Sequence, residues 1–224
     1  MASLFSEEDR QARAKQLYTP LKKWETRIAR LHPGYDTDPL KITLSTAVIL
    51  DEDALDICEH NSIMRYDALS YTWGVSVFSR GIICNGMHFS ITANSYDALT
   101  HLRDRIAVRY IWIDALSINQ YDQDEKGKQI RNMFKIYRKA DHVRVWLGWT
   151  NQNMEKDFQK MLTIYDERPG SFEGCDLKVA MRAYMMLLRR DWLRRIWVVQ
   201  EVTAARSPER ISALLGCQSQ FTNV

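Results

Sequence analysis

Apolar positions along the chain change their period several times, and each change marks an element. From Asp124 to Lys139 the residues Ile130, Met133, Phe134 and Tyr137 fall at i, i+3, i+4 and i+7, the stripe of an amphipathic helix. Tyr96, Leu99 and Leu102 repeat that spacing on a helix expected to start near Asn94, behind an Asn-Ser cap. Two more helical stripes, Phe158/Met161/Leu162/Tyr165 and Leu177/Ala180/Met181/Tyr184/Leu188, are separated by a Pro169-Gly170 turn. A last helix is expected from about Asp191 to Ala204, and a short exposed one from Ser6 to about Gln16, opened by a Ser-x-x-Asp cap.

Between these lie short apolar runs with strand character. Tyr66 to Trp73, Arg109 to Ile113, Val143 to Leu147 ending in Gly148, and Ile211 to Leu215 read as strands of one sheet. Asn85-Gly86 between β-prone flanks predicts a hairpin over Ile82 to Ile91. Upstream, from Leu17 to Leu50, strand-like pieces broken by Pro20, His32-Pro33-Gly34 and Pro39 predict a small β element. Alternation of strand and helix implies an α/β fold of the flavodoxin-like kind, a mostly parallel sheet flanked by helices with an N-terminal β extension. The expected organisation is a helical extension over 1–16 and one domain over 17–224.

Composition narrows the function classes. Hydrophobic residues are 46% of 224, enough for a substantial core, and a formal net charge of +3 gives no reason to expect nucleic acid as a partner. No apolar run reaches the ~18 residues of a membrane span, and the N-terminus has no signal-peptide pattern, so a cytoplasmic protein is expected. Cys58, Cys84, Cys175 and Cys217 lie far apart, as do the five histidines, so reduced thiols and no metal site are expected.

Ligands of open parallel sheets bind outside the carboxyl ends of the strands. Here those ends carry Ser70-Tyr71-Thr72-Trp73-Gly74, Asp114 through Gln120, and Gly148-Trp149. Asp114 is placed either to orient a ligand or to cap a turn, Trp73 either to stack on a flat ring or to fill the core, and Asn119 and Gln120 to fix a loop. The segment Arg189 to Glu201 holds four arginines, and its Trp197 and Glu201, at i and i+4, are expected on one helix face. A partly desolvated carboxylate there has catalytic chemistry, whereas an arginine partner from its own helix makes it structural.

Tyr66-Asp-Ala-Leu-Ser-Tyr-Thr-Trp-Gly74, Ile111-Trp-Ile-Asp-Ala-Leu-Ser-Ile-Asn-Gln120, the Gln129 to Tyr137 helix leading into Val145-Trp-Leu-Gly148, and Trp192 to Glu201 resemble the successive blocks of the fungal heterokaryon incompatibility (HET) domain. The likeness covers about residues 17 to 217. Ser117 departs from it, standing where the family commonly has cysteine. The resemblance implies an effector of fungal nonself recognition that triggers programmed cell death. HET domains are in turn similar to TIR domains, some of which cleave NAD with a glutamate in a Trp-x-x-x-Glu helix, the spacing of Trp197-Val-Val-Gln-Glu201. That likeness implies a catalytic Glu201, with Ser70, Trp73, Asp114, Trp197, Arg194 and Arg195 binding the substrate NAD, no cofactor, and activity in a homo-oligomer. An incompatibility partner protein is implied as well, and a parent protein continuing past Val224 is in keeping with the family. On this reading Glu201→Ala abolishes function at an unchanged melting temperature. Two alternatives stay open, a non-catalytic self-associating signalling module and a nucleotide sensor without turnover.

Overall fold

The computed structural model describes residues 2–49, 65–167 and 177–217. The Pro169-Gly170 turn and residues Cys58, His60 and Cys175 lie outside them. Helix α1 (Glu7–Leu17) opens the chain, capped by the Ser6 hydroxyl, which accepts from the Asp9 N–H. It is followed by β1 (Glu25–Leu31), β2 (Lys41–Val48), β3 (Asp67–Ser70), β4 (Arg80–Cys84), β5 (Met87–Ile91), α2 (Ala93–Leu102), β6 (Arg109–Trp112) and the single turn α3 (Asp114–Ser117). Then come α4 (Gln123–Lys139), β7 (His142–Thr150), α5 (Gln152–Glu167), α6 (Leu177–Leu188), α7 (Trp197–Thr203) and β8 (Ile211–Cys217), with short 3-10 turns at Asp191–Arg194 and Pro208–Arg210.

The strands form one sheet in the order β5-β4-β2-β1-β6-β3-β7-β8. Consecutive side chains along each central strand enter opposite cores, as a two-residue period requires. Ala29, Leu69, Ile111 and Trp146 meet α1, α2 and α3 through Ala14, Leu17, Ala98, Leu99 and Leu116. Their neighbours Ile28, Ala68, Trp112 and Val145 meet α4, α5 and α6 through Met133, Ile136, Tyr137, Phe158 and Met186. The sheet is therefore covered on both faces, the expected α/β class, with four of its seven pairings parallel.

The parallel pairings β6-β3, β3-β7 and β7-β8 place the site. Counted in chain order among themselves, these four strands lie 2-1-3-4, the doubly wound flavodoxin-like order, in which the chain reverses direction beside the first strand. The topological switch point thus falls at the carboxyl end of β3, which is Ser70.

Local chemistry agrees with the pattern at most elements and departs from it at four. Asn85 (φ 49°) and Gly86 (φ 79°) give the left-handed pair of a type I′ turn between β4 and β5. Helix α2 is capped by Thr92, whose hydroxyl accepts from the Ser95 N–H at 3.3 Å, and not at Asn94. Asn94 instead donates to the Thr72 carbonyl and accepts from the Trp146 indole. The Leu17-Leu21 piece forms no strand. Strand β7 does not stop at Gly148: at φ 86° that residue makes a bulge, and the ladder with β8 resumes at Trp149.

The expected helix from Asp191 to Ala204 is broken. Arg195 is extended (φ −83°, ψ 129°), so the chain turns there, with its side chain spent on tertiary contacts.

Close packing beside the bulge yields a direct prediction. A Cβ on Gly216 would overlap the Trp149 ring and lie 2.7 Å from Trp146 Cη2, and those two indoles are already locked edge to face at 5.6 Å. Gly216→Ala is expected to cost about 3 kcal/mol, as overpacking of a rigid aromatic pair does. A thermal melt should show a fall of roughly 10 °C.

Candidate functional site at the sheet switch point

The ends of β3 and β6 each contribute a polar group at the switch point. The Ser70 hydroxyl, fully buried at the end of β3, donates to the Glu201 carboxylate and accepts from the Trp192 indole at 2.7 Å. Arg195 closes the arrangement. Its Nη2 donates to Glu201 Oε1 at 3.0 Å and its Nη1 to the Tyr71 carbonyl at 2.5 Å. After β6, the Asp114 carboxylate accepts from the Trp73 indole and from the Ala115 N–H, each at 2.8 Å, and Gln120 donates to the Asp114 carbonyl at 2.9 Å.

Glu201 is 1% exposed, against 46% for Trp197. The two therefore do not share one presented surface, although both belong to α7. The i, i+4 relation holds, but the helix is only seven residues long and packs against α4, so Glu201 turns into the protein while the indole stays at the rim. The wall around the carboxylate is Ser70 and Arg195, not Trp197.

In front of this group lies a cavity of about 270 Å³, lined by Trp73, Asp114, Lys126, Met133, Arg195 and Trp197 among others. Four residues read from the sequence, Trp73, Asp114, Arg195 and Trp197, thus meet in one cavity. Ser70 and Glu201 stand behind it, with Arg195 touching both sides. Arg194 does not join them: its guanidinium is 74% exposed and faces Asp191 at 3.8 Å.

Burial pushes the Glu201 carboxyl above its ordinary 4.5, opposed by Arg195 and Ser70, while the Asp114 charge adds to the rise. Asp114 is raised for the same first reason, with the Trp73, Tyr71 and Arg195 partners pulling it down. A carboxyl raised on folding binds its proton more tightly in the folded state, so the stability it contributes declines as pH climbs from the unfolded value through the folded one. Wild type is therefore expected to lose stability relative to Glu201→Gln as the pH climbs upward from the ordinary carboxylate value. Urea unfolding of both proteins over that range checks the sign.

Sequence reasoning passed over Trp192 and Lys126. Trp192 opens the last of the blocks that carry the resemblance, but was given no role of its own. Lys126 drew no reading from the sequence at all. No signal short of the tertiary structure links either to Ser70 or Trp73.

Among the described residues no group of three His, Cys, Asp or Glu side chains is placed to hold a metal ion, and no helix is long and apolar enough to cross a membrane. Cys84 is a buried free thiol whose pKa burial pushes up to about 12, which makes it unreactive at neutral pH.

A doubly wound sheet with a carboxylate, an arginine and two indoles gathered at its switch point defines an α/β protein with a ligand crevice in the usual place. Residues 66–201 match the family described as heterokaryon incompatibility protein (HET), and the chain belongs to that family. It is similar to "Heterokaryon incompatibility protein 6, OR allele" of Neurospora crassa, at 34% identity over 78% of this chain and 31% of that protein. The chain thus spans about a third of the length of that relative. No solved structure matches it.

Proposed function

We propose that this domain is a cytoplasmic effector of fungal nonself recognition that promotes programmed cell death by hydrolysing NAD in the switch-point crevice, as some TIR domains do. The observation that carries the reading is the Glu201 carboxylate, desolvated and raised in pKa, held on Ser70 directly behind a cavity walled by Trp73, Trp197 and Arg195. Family membership supports the biological role.

The chemistry asks little of the protein. The bond between ribose C1′ and the nicotinamide nitrogen breaks with its electron pair going to the ring, which leaves neutral and needs no acid. The positive charge left on the ribose is stabilised by a carboxylate on its hydroxyls, as at other glycosidic centres. Water then adds its oxygen to C1′ and gives up a proton, leaving an ADP-ribose product.

Glu201 supplies the carboxylate, Trp197 and Trp73 stack on flat rings, Asp114 fixes the Trp73 indole, and Arg195 and Lys126 face the phosphates. Arg195 covers Glu201 in the structure, so the proposed reaction takes place once a phosphate draws the guanidinium forward.

A second reading has its own observation. Tyr184, Leu188, Leu193, Ile196 and Val199 are exposed along α6, the 3-10 turn and α7, next to Trp197. Such apolar surface suits self-association, and a self-associating module that signals without turnover would use it.

Both readings are served by one experiment. Nicotinamide release from NAD, followed while the protein concentration is raised through self-association, should climb more steeply than in proportion if assembly completes the site. Assembly with NAD left intact would favour the module.

A further inference from the structure

Helix α6 has two apolar faces, and only one of them packs. Val179, Ala183 and Met186 are buried, and Met186 belongs to the same core as Val145 and Phe158. Met181, Tyr184, Met185 and Leu188, at i, i+3, i+4 and i+7, form a second stripe that is 42–55% exposed. Three of these four residues mark the helix in the sequence, so the legible stripe is the one left in solvent. Folding does not require it, because the other face already meets the core, and polar residues would sit there equally well. Leu193 and Ile196, in the stretch that follows, are exposed too.

The charge beside the stripe is of one sign. Residues 177–190 hold Lys178, Arg182, Arg189 and Arg190 and no acid. At about 100° per residue Lys178 and Arg182 fall on the same flank of the stripe, and Arg189 follows just past the end of α6. Arg182 pairs with Asp157 of α5 at 2.7 Å, but Lys160 stands one turn further along α5, so an excess of positive charge outlasts that pairing. Arg190 is turned inward, donating to the Trp149 carbonyl.

We propose that this face of α6 seats the domain on an anionic lipid surface, the apolar stripe entering the headgroup boundary and the basic row lying over the phosphates. Apolar and aromatic side chains flanked by Lys and Arg, with no acid among them, are the composition that such a surface retains. A second copy meeting the face about a two-fold axis would set the basic row against itself, whereas anionic headgroups neutralise it. At 12 residues the helix is too short to cross a bilayer, so it lies along one. No residue of the crevice takes part, so the docking stands whether or not NAD is cleaved there.

The test sediments the whole chain, without nucleotide, with vesicles of phosphatidylcholine alone and of phosphatidylcholine and phosphatidylserine in equal parts. Binding is expected to the mixed vesicles only, and should fall steeply as salt is raised. Lys178→Gln with Arg189→Gln should weaken it by about tenfold to thirtyfold, the loss of two basic contacts with the surface. Tyr184→Ser with Leu188→Ser should weaken it by about tenfold. Both of those side chains are half in solvent, so the melting temperature should stay within about 2 °C of wild type.

Failure to bind the mixed vesicles, equal binding to both kinds, or binding that survives either pair of changes overturns the proposal. A wild type that ignores vesicles but self-associates in light scattering, with the association lost in the Tyr184→Ser, Leu188→Ser protein, overturns it as well and gives the face to a second copy.

Discussion

Glu201→Gln is expected to slow nicotinamide release by about 10²–10³-fold, the usual consequence of removing a group aimed at charge that develops in the transition state. Glutamine is nearly the same shape, and with its oxygen accepting from Arg195 its amide NH2 can donate to the Ser70 hydroxyl, so the fold should persist. It carries no charge to set against a ribosyl cation. Glu201→Ala is a poorer test than the sequence alone implies. The side chain is buried and makes an ion pair with Arg195, itself about four-fifths buried at 21% exposure. Truncation leaves that guanidinium without its counter-charge and should cost about 2–4 kcal/mol, so the melting temperature falls along with activity. Only the isosteric change separates a chemical role from a structural one.

Glu125→Ala is expected to cost about 3–5 kcal/mol, the largest stability loss foreseen for a single side chain here. The reason is Arg27, on the central strand β1 and 3% exposed. Its Nη1 and Nη2 donate to the two Glu125 oxygens at 2.6 and 2.9 Å, a bidentate pair out of reach of solvent. Glu125 also accepts from the Asn119 N–H at 2.8 Å, which ties the loop before α4 to the helix's first turn.

Removing the carboxylate strands a charge in the core. The remaining acceptors, the Ser117 and Thr19 carbonyls, are neutral and do not compensate it. Domains of this kind are stable by only about 5–15 kcal/mol, so a loss of that size should be plain in urea unfolding, as a lower midpoint with an unchanged slope. A paired change, Arg27→Met with Glu125→Leu, should recover much of it, since the desolvation penalty of both charges disappears together.

The frame of the molecule was legible because its signals are local. Asn85-Gly86 turns by its own backbone preference, and of the expected α4 stripe Met133 and Tyr137 are buried and Ile130 partly so, while Phe134 is exposed and Ile136 takes its place in the core. Where the reading failed, long-range contacts decided. The apolar pattern runs through Arg195 without a break, and only the Tyr71 carbonyl and Glu201 on another part of the fold explain why the helix stops there.

The candidate site was half legible for the same reason. Strand ends can be read from apolar runs, which delivered Ser70, Trp73 and Asp114. Which of them faces a cavity cannot, since that depends on a helix arriving from the β7–β8 crossover. Ser70 proved to hold Glu201 from behind. Another cavity, of about 320 Å³, collects Tyr18, Phe78, Phe89 and Tyr121 from four separate stretches of chain, a grouping to which no spacing in the sequence corresponds.

On the proposed function, the crevice breaks the bond between ribose and nicotinamide with Glu201 as the stabilising carboxylate. The measurement that meets it most directly is the quantity of nicotinamide formed from NAD by the purified chain at high concentration, beside Glu201→Gln under identical conditions. Release by the wild type is expected, matched by an equal amount of an ADP-ribose product, with its near disappearance in the variant. Intact NAD with a folded, self-associated wild type, or equal release by both proteins, would contradict it.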